Sequence, residues 1–272
     1  MSVLTKLGQM NYPLSARHIN RFTGRESDLG QFLFPLSYNA HRVFDHFTGD
    51  TIDTFAWALG TDGGGATAFA QRVGDATGTY IRGQTAATDN NVVEINGAAH
   101  WFGDNHCLFV AKLKVDRSPA TSNLWLEFGL ADALTDNTLP VVTDSDIPTV
   151  ANGASNAAVI ALDGDAVIKT ARFVTDGGTA GMNAAATTLS PVWQPTADTL
   201  FWVVVGVQGD YAYGAVANDS GTIVAHAEHG STLASRIEGG TGLLPRVMCG
   251  TRVATDTIYD IDLIDVIGGD GV

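Results

Sequence analysis

The stretch that decides the fold has three parts. It runs Cys107-Leu108-Phe109-Val110-Ala111-Lys112-Leu113-Lys114-Val115, then Asp116-Arg117-Ser118-Pro119, then Leu124-Trp125-Leu126-Glu127-Phe128-Gly129-Leu130. In the first part Lys112 and Lys114 alternate with Ala111, Leu113 and Val115. A period of two marks a strand with one face on a core and the other in solvent. The second part is a turn. The third puts Leu124, Leu126, Phe128 and Leu130 on one face and Trp125, Glu127 and Gly129 on the other. Two short strands on either side of a turn, with no helical period between them, point to a β fold.

Working outward, the same signal recurs. Ala157–Leu162 and Ala166–Phe173 flank Asp163-Gly164-Asp165, which reads as a hairpin because glycine accepts positive φ in a tight turn. Leu200–Val207 is a continuous apolar run, expected to be a strand buried on both faces or lying in the sandwich core. Tyr211–Val216 and Thr222–His226 form a second hairpin across Asn218-Asp219-Ser220-Gly221. Near the end, Ile258, Asp260 and Asp262 alternate with Tyr259, Ile261 and Leu263. Residues 131–156 and 176–199 read as long loops, and loops of that length are usually functional or interfacial. Short strands separated by Gly, Asp, Asn and Thr clusters predict an all-β fold, an antiparallel β-sandwich.

Composition narrows the function. The 272 residues carry 15 Lys and Arg against 29 Asp and Glu, a net charge of −14, yet only 16% of residues are charged. Acidity therefore comes from scarce bases. The chain has no basic surface with which to coat nucleic acid, so no direct nucleic-acid partner is expected. No apolar window reaches the ~20 residues of a membrane helix, and no signal peptide is visible at the N-terminus. Two cysteines make no disulfide framework.

The charge is unevenly placed. Residues 1–42 hold Lys6, Arg17, Arg21, Arg25 and Arg42 against Glu26 and Asp28, so 5 − 2 = +3, and the remainder is −14 − 3 = −17. This leader has apolar bursts broken by Pro and Gly, including Phe22, Phe32 and Phe34. It reads as an extended N-terminal arm that packs on its own domain or on a neighbouring subunit, ahead of a sandwich at residues 43–272.

Phe44-Asp45-His46-Phe47-Thr48-Gly49-Asp50-Thr51-Ile52-Asp53-Thr54-Phe55-Ala56-Trp57 resembles the first strand and loop of the concanavalin A-like lectin/glucanase jelly rolls. Leu126–Asp132 looks like that family's central strand, and Ile258–Ile264 is similar to its last. In overall style the chain also looks like tailed-bacteriophage virion proteins, in which such jelly rolls serve as capsid decoration, head-fibre or tail components. The resemblance implies a concanavalin A-like jelly roll and three readings. The first is a non-enzymatic virion structural protein, a capsid decoration, cement or minor capsid protein. The second is a carbohydrate-binding tail or head-fibre module, and the third a glycan hydrolase.

The candidate residues follow from these readings. Attachment to the major capsid protein or other virion subunits falls to Arg17, Arg21, Phe22, Arg25, Phe32 and Phe34 of the arm, and the assembly is expected to be a homo-oligomer, a trimer. Trp125 and Glu127, on one strand face, are the candidates for glycan contact. Family hydrolases carry E-x-D-x-x-E on one strand, whereas Glu127 is followed by an acid only at Asp132, on the opposite face of a regular strand. No catalytic residue is assigned. Legume-type lectins hold calcium in an Asp/Asn loop, and residues 131–146, with Asp132, Asp136, Asn137, Asp144 and Asp146, are the nearest counterpart. No spacing matches an EF-hand, and His226-x-x-His229 is no zinc-protease motif, so no metal ligand and no cofactor are assigned.

Overall fold

The computed structural model describes residues 40–47, 51–62, 64–75, 78–103, 107–119, 123–134, 140–142, 150–167, 169–177, 185–208, 211–230, 237 and 241–269. Every named element among them is a strand. They are β1 (Ala40–Asp45), β2 (Trp57–Asp62), β3 (Thr67–Asp75), β4 (Gly78–Gln84), β5 (Asn91–Gly97), β6 (Trp101–Phe102), β7 (Cys107–Val115) and β8 (Leu124–Ala131). The second half adds β9 (Asn156–Asp163), β10 (Arg172–Gly177), β11 (Ala185–Thr188), β12 (Phe201–Gln208), β13 (Tyr211–Asn218), β14 (Ile223–His229), β15 (Gly242–Thr251) and β16 (Ile258–Gly269).

The strands form two antiparallel sheets. Sheet A runs β14-β13-β12-β7-β16-β4-β3, with β1 also on β16. Sheet B runs β11-β10-β9-β8-β15-β5-β2, with β6 on β15. Their inner faces meet in one core. The deciding stretch crosses it: Phe109, Ala111, Leu113 and Val115 of β7 face Leu124, Leu126, Phe128 and Leu130 of β8 across the interior. β7 and β8 lie in opposite sheets, and both strands are mid-sheet. The arm residues Arg17, Arg21, Phe22, Arg25, Phe32 and Phe34 lie outside the described residues. Strand β1 starts at Ala40, so the sheeted part begins before residue 43.

Two local readings change. The Asp163-Gly164-Asp165 hairpin does not form as expected, since β10 starts only at Arg172 and pairs Arg172 with Ala161. Gly164 N–H instead donates to Leu124 O, which holds the chain on β8 and carries Val167 out into solvent. In β16 the clean alternation breaks at a bulge between Ile261 and Leu263. Adding one residue reverses every later side chain. Leu263 therefore joins an outer cluster with Val110 and Val204, while Ile264 and Val266 turn into the core.

Candidate functional site

Sheet B presents its outer face in lateral rows. One row runs Glu94, Met248, Glu127 and Ala161 across β5, β15, β8 and β9. The next runs Asn96, Arg246, Gly129 and Val159. Gly129 sits at φ 149°, a region closed to residues with a Cβ. Arg246 reaches both carboxylates of the adjacent row. Its Nη2 lies 2.5 Å from Glu94 Oε2 and its Nη1 lies 3.0 Å from Glu127 Oε1. All three side chains are 0% exposed.

The remaining acceptors are filled by donors. Val141 N–H donates to both oxygens of Glu127 at 3.0 and 3.1 Å, and Val142 N–H donates to Oε2 at 3.0 Å. Asn96 Nδ2 donates to Glu94 Oε1. The segment 140–142 closes over the row because Val142 packs on Val159, Ala161 and Val174 while Val141 packs on Ala131 and Ala157. Asp132 fixes the far side of the same loop. It accepts from Ser155 N–H, Ser155 Oγ and Asn156 Nδ2. Burial pushes the Asp132 carboxyl up, but these donors outweigh it and hold it below its ordinary value.

Trp125 and Glu127 do share a face, as expected. The structure covers both. The Arg252 guanidinium stacks 3.5 Å from the Trp125 ring centre, held there by Asn90 and Asp163, and Met248 and Val92 pack beside it. A sugar would have to displace Arg252 and the 140–142 segment to touch either residue. The exposed plate and acceptor that the glycan-contact expectation needs are thus not on this face.

Sequence reasoning missed Glu94 and Arg246, which lie 152 residues apart. Each is a single charge inside an apolar strand, in Asn91–Gly97 and Gly242–Thr251. That pattern is the one signal that marks them, because a charge placed on a covered face needs a partner.

The other candidates are dispersed. His226 exchanges backbone hydrogen bonds with Ser190. His229 lies between the Thr175 and Thr187 hydroxyls at 2.6 and 2.9 Å and against the Phe173 ring, and burial pushes its pKa down to about 4. Burial raises the Cys107 thiol to about 12 despite its hydrogen bond to Phe102 O, so it holds no thiolate. Among the described residues no group of three or more His, Cys, Asp or Glu is placed to hold a metal ion. Of the calcium-loop candidates, Asp136, Asn137, Asp144 and Asp146 lie outside the described residues.

A separate concavity of about 260 Å³ opens where β1, β2, β5 and β6 meet. Its lining includes Asp53, Phe55, Trp57 and His100. Trp57 is buried at its floor, whereas Phe55 is 100% exposed.

No family model matches the chain, and no curated protein matches it in sequence. Solved structures do match its fold. Peanut lectin aligns with 86% of this chain and 99% of its own at 12% identity, with a TM-score of 0.55. SO2946 from Shewanella oneidensis MR-1, a protein of unknown function, aligns with 87% of this chain and 90% of its own at 12% identity, also at 0.55. An endo-acting O-glycanase of the human gut microbiota aligns with 83% of this chain and 98% of its own at 10% identity, at 0.52. At such identity the likeness shows the fold: the chain is a lectin-like, concanavalin A-like jelly-roll β-sandwich. That fold hosts both lectins and glycan hydrolases, so activity must be argued from the site.

Proposed function

We propose that this chain is a non-enzymatic structural protein of a tailed-bacteriophage virion, a capsid decoration or cement protein anchored by its N-terminal arm. The observation that carries the non-enzymatic half is the closed Glu94–Arg246–Glu127 triad. Two-carboxylate hydrolysis needs both groups beside the scissile bond, with room for water or a nucleophile. Here a guanidinium lies between them, all three side chains are fully buried, and every group on Glu127 is a donor. The carboxylates serve stability.

The structural half is supported by the charge division, +3 on residues 1–42 and −17 on the rest. A short basic leader with aromatic anchors suits attachment to an acidic shell, and an acidic sandwich stays soluble facing outward. The partner is the major capsid protein or another virion subunit, in a symmetric homo-oligomer such as a trimer. The test is co-sedimentation of the full chain with particles that lack it. Reversing Arg17, Arg21 and Arg25 to Glu should abolish attachment and leave the thermal transition unchanged. Full attachment by that variant would overturn the proposal.

The concavity at Phe55 favours one second reading, a glycan-binding tail or head-fibre module. An exposed aromatic ring beside the Asp53 carboxylate and the His100 imidazole offers a stacking plate and polar partners. A glycan array that gives hits with the full chain and loses them with Phe55→Ala would establish it. An array without hits would sink it.

A further inference from the structure

The concavity at Phe55 opens between β1 of sheet A and β2 of sheet B. A short turn builds its rim. Asp53 O accepts from Ala56 N–H at 3.2 Å and from Trp57 N–H at 3.0 Å. Asp53 Oδ1 accepts from Phe55 N–H at 2.9 Å. The carboxylate thus fixes the backbone that presents the Phe55 ring to solvent. Asp53 is itself exposed, so its charge stays at the rim.

The lining favours one sign of charge. Phe55, Trp57 and Trp101 supply three aromatic side chains, and His100 lies edge-on to Trp101 with ring centres 6.0 Å apart. Behind the floor, Asp45 Oδ2 accepts the Trp57 indole N–H at 3.1 Å. A carboxylate on that N–H polarises the indole and raises the electron density of its ring. Neither Lys nor Arg is among the described residues that line the concavity. Aromatic faces and carboxylates attract an organic ammonium group, and carboxylates repel an anion. The net charge of −14 acts in the same direction over a longer range. The volume of about 260 Å³ lies below the range of about 300–1,000 Å³ that encloses a drug-sized ligand, so the concavity takes one sugar unit and not a chain.

We infer that the sugar this concavity takes is an amino sugar with a cationic nitrogen, its ring stacked on Phe55 and its ammonium group held by the aromatic lining and the Asp53 carboxylate. The inference rests on the glycan reading of this site and adds the charge class of the ligand.

Titration calorimetry of the full chain with three short glucosamine oligomers tests it. They share one backbone and differ at nitrogen: N-trimethyl, with a fixed positive charge; N-acetyl, neutral; and N-sulfo, negative. The N-trimethyl oligomer should bind at least about fivefold more tightly than the N-acetyl one, and the N-sulfo oligomer should bind most weakly. Asp53→Asn keeps an oxygen to accept the Phe55 N–H and removes the charge. It should weaken N-trimethyl binding roughly two- to fivefold and leave N-acetyl binding unchanged. Phe55→Ala should weaken N-trimethyl binding roughly three- to tenfold. Both positions are exposed, so an unchanged thermal transition serves as the control. Equal affinity for the N-acetyl or N-sulfo oligomer would overturn the inference and leave the glycan reading standing. So would N-trimethyl binding that both variants leave intact, since that is diffuse attraction to an acidic chain. Failure of all three oligomers beside hits on a glycan array would also overturn the inference alone. An array without hits would take the glycan reading down with it.

Discussion

The two outer faces of this sandwich are covered by different chemistry. On sheet B the described chain supplies the cover, and the face beneath it is partly ionic: Glu94, Arg246 and Glu127 interlock, and the 140–142 backbone caps the last carboxylate. On sheet A an apolar cluster around Val110, Val204, Trp202 and Tyr213 borders a partly exposed ion network in which Arg82 and Lys114 pair with Asp260 and Lys112 pairs with Asp262. A closed ionic face is specific and costly to break, because each charge depends on its partners. The difference is one of burial: the sheet B charges are fully enclosed, whereas Arg82, Lys112, Lys114 and Asp262 on sheet A keep partial access to solvent.

The largest effect should come from breaking the ionic face. Arg246→Met leaves two carboxylates buried together without their cation and should cost about 3–5 kcal/mol in urea unfolding. Replacing all three, Glu94→Leu, Arg246→Met and Glu127→Leu, should recover most of that loss. If the single variant cost nothing, the triad would not be holding the face.

His229 should produce the next largest effect. Its folded pKa is about 4, below the ordinary 6.5, so the unfolded chain binds the proton first. Stability is full above about pH 6.5 and should fall by roughly 2–3 kcal/mol as pH drops toward 4, at about 1.4 kcal/mol per pKa unit. His229→Gln should flatten that part of the pH profile of the unfolding midpoint.

Gly206→Ala tests the apolar face, since its Cβ must displace the Tyr213 ring. A loss of about 1–3 kcal/mol is expected from overpacking. The smallest effect belongs to Phe55→Ala at the separate concavity. A fully exposed side chain should change stability by less than about 0.5 kcal/mol, leaving any loss of glycan binding to be read cleanly.

Much of the sandwich was legible because strand alternation is local. β7, β8, β12 and the β13–β14 hairpin follow directly from the side-chain period. What escaped depends on distance or on single insertions. The bulge at Ile261/Leu263 is invisible to a count of alternation and reverses Leu263. The Asp163-Gly164-Asp165 signal was overridden by a tertiary hydrogen bond to Leu124 O. Glu127 could be picked out, but its partners Glu94 and Arg246 come from strands far along the chain, so it read as a lone acid. The arm residues Phe22, Phe32 and Phe34 were recognisable as apolar groups in a Pro- and Gly-broken leader, and they lie outside the described residues.

The proposed membership of a virion is read directly by quantitative mass spectrometry of purified particles. The full chain, its arm included, is expected in the particle at a copy number on the scale of the capsid's own subunits. Absence of the chain from particles that package and infect normally would contradict it.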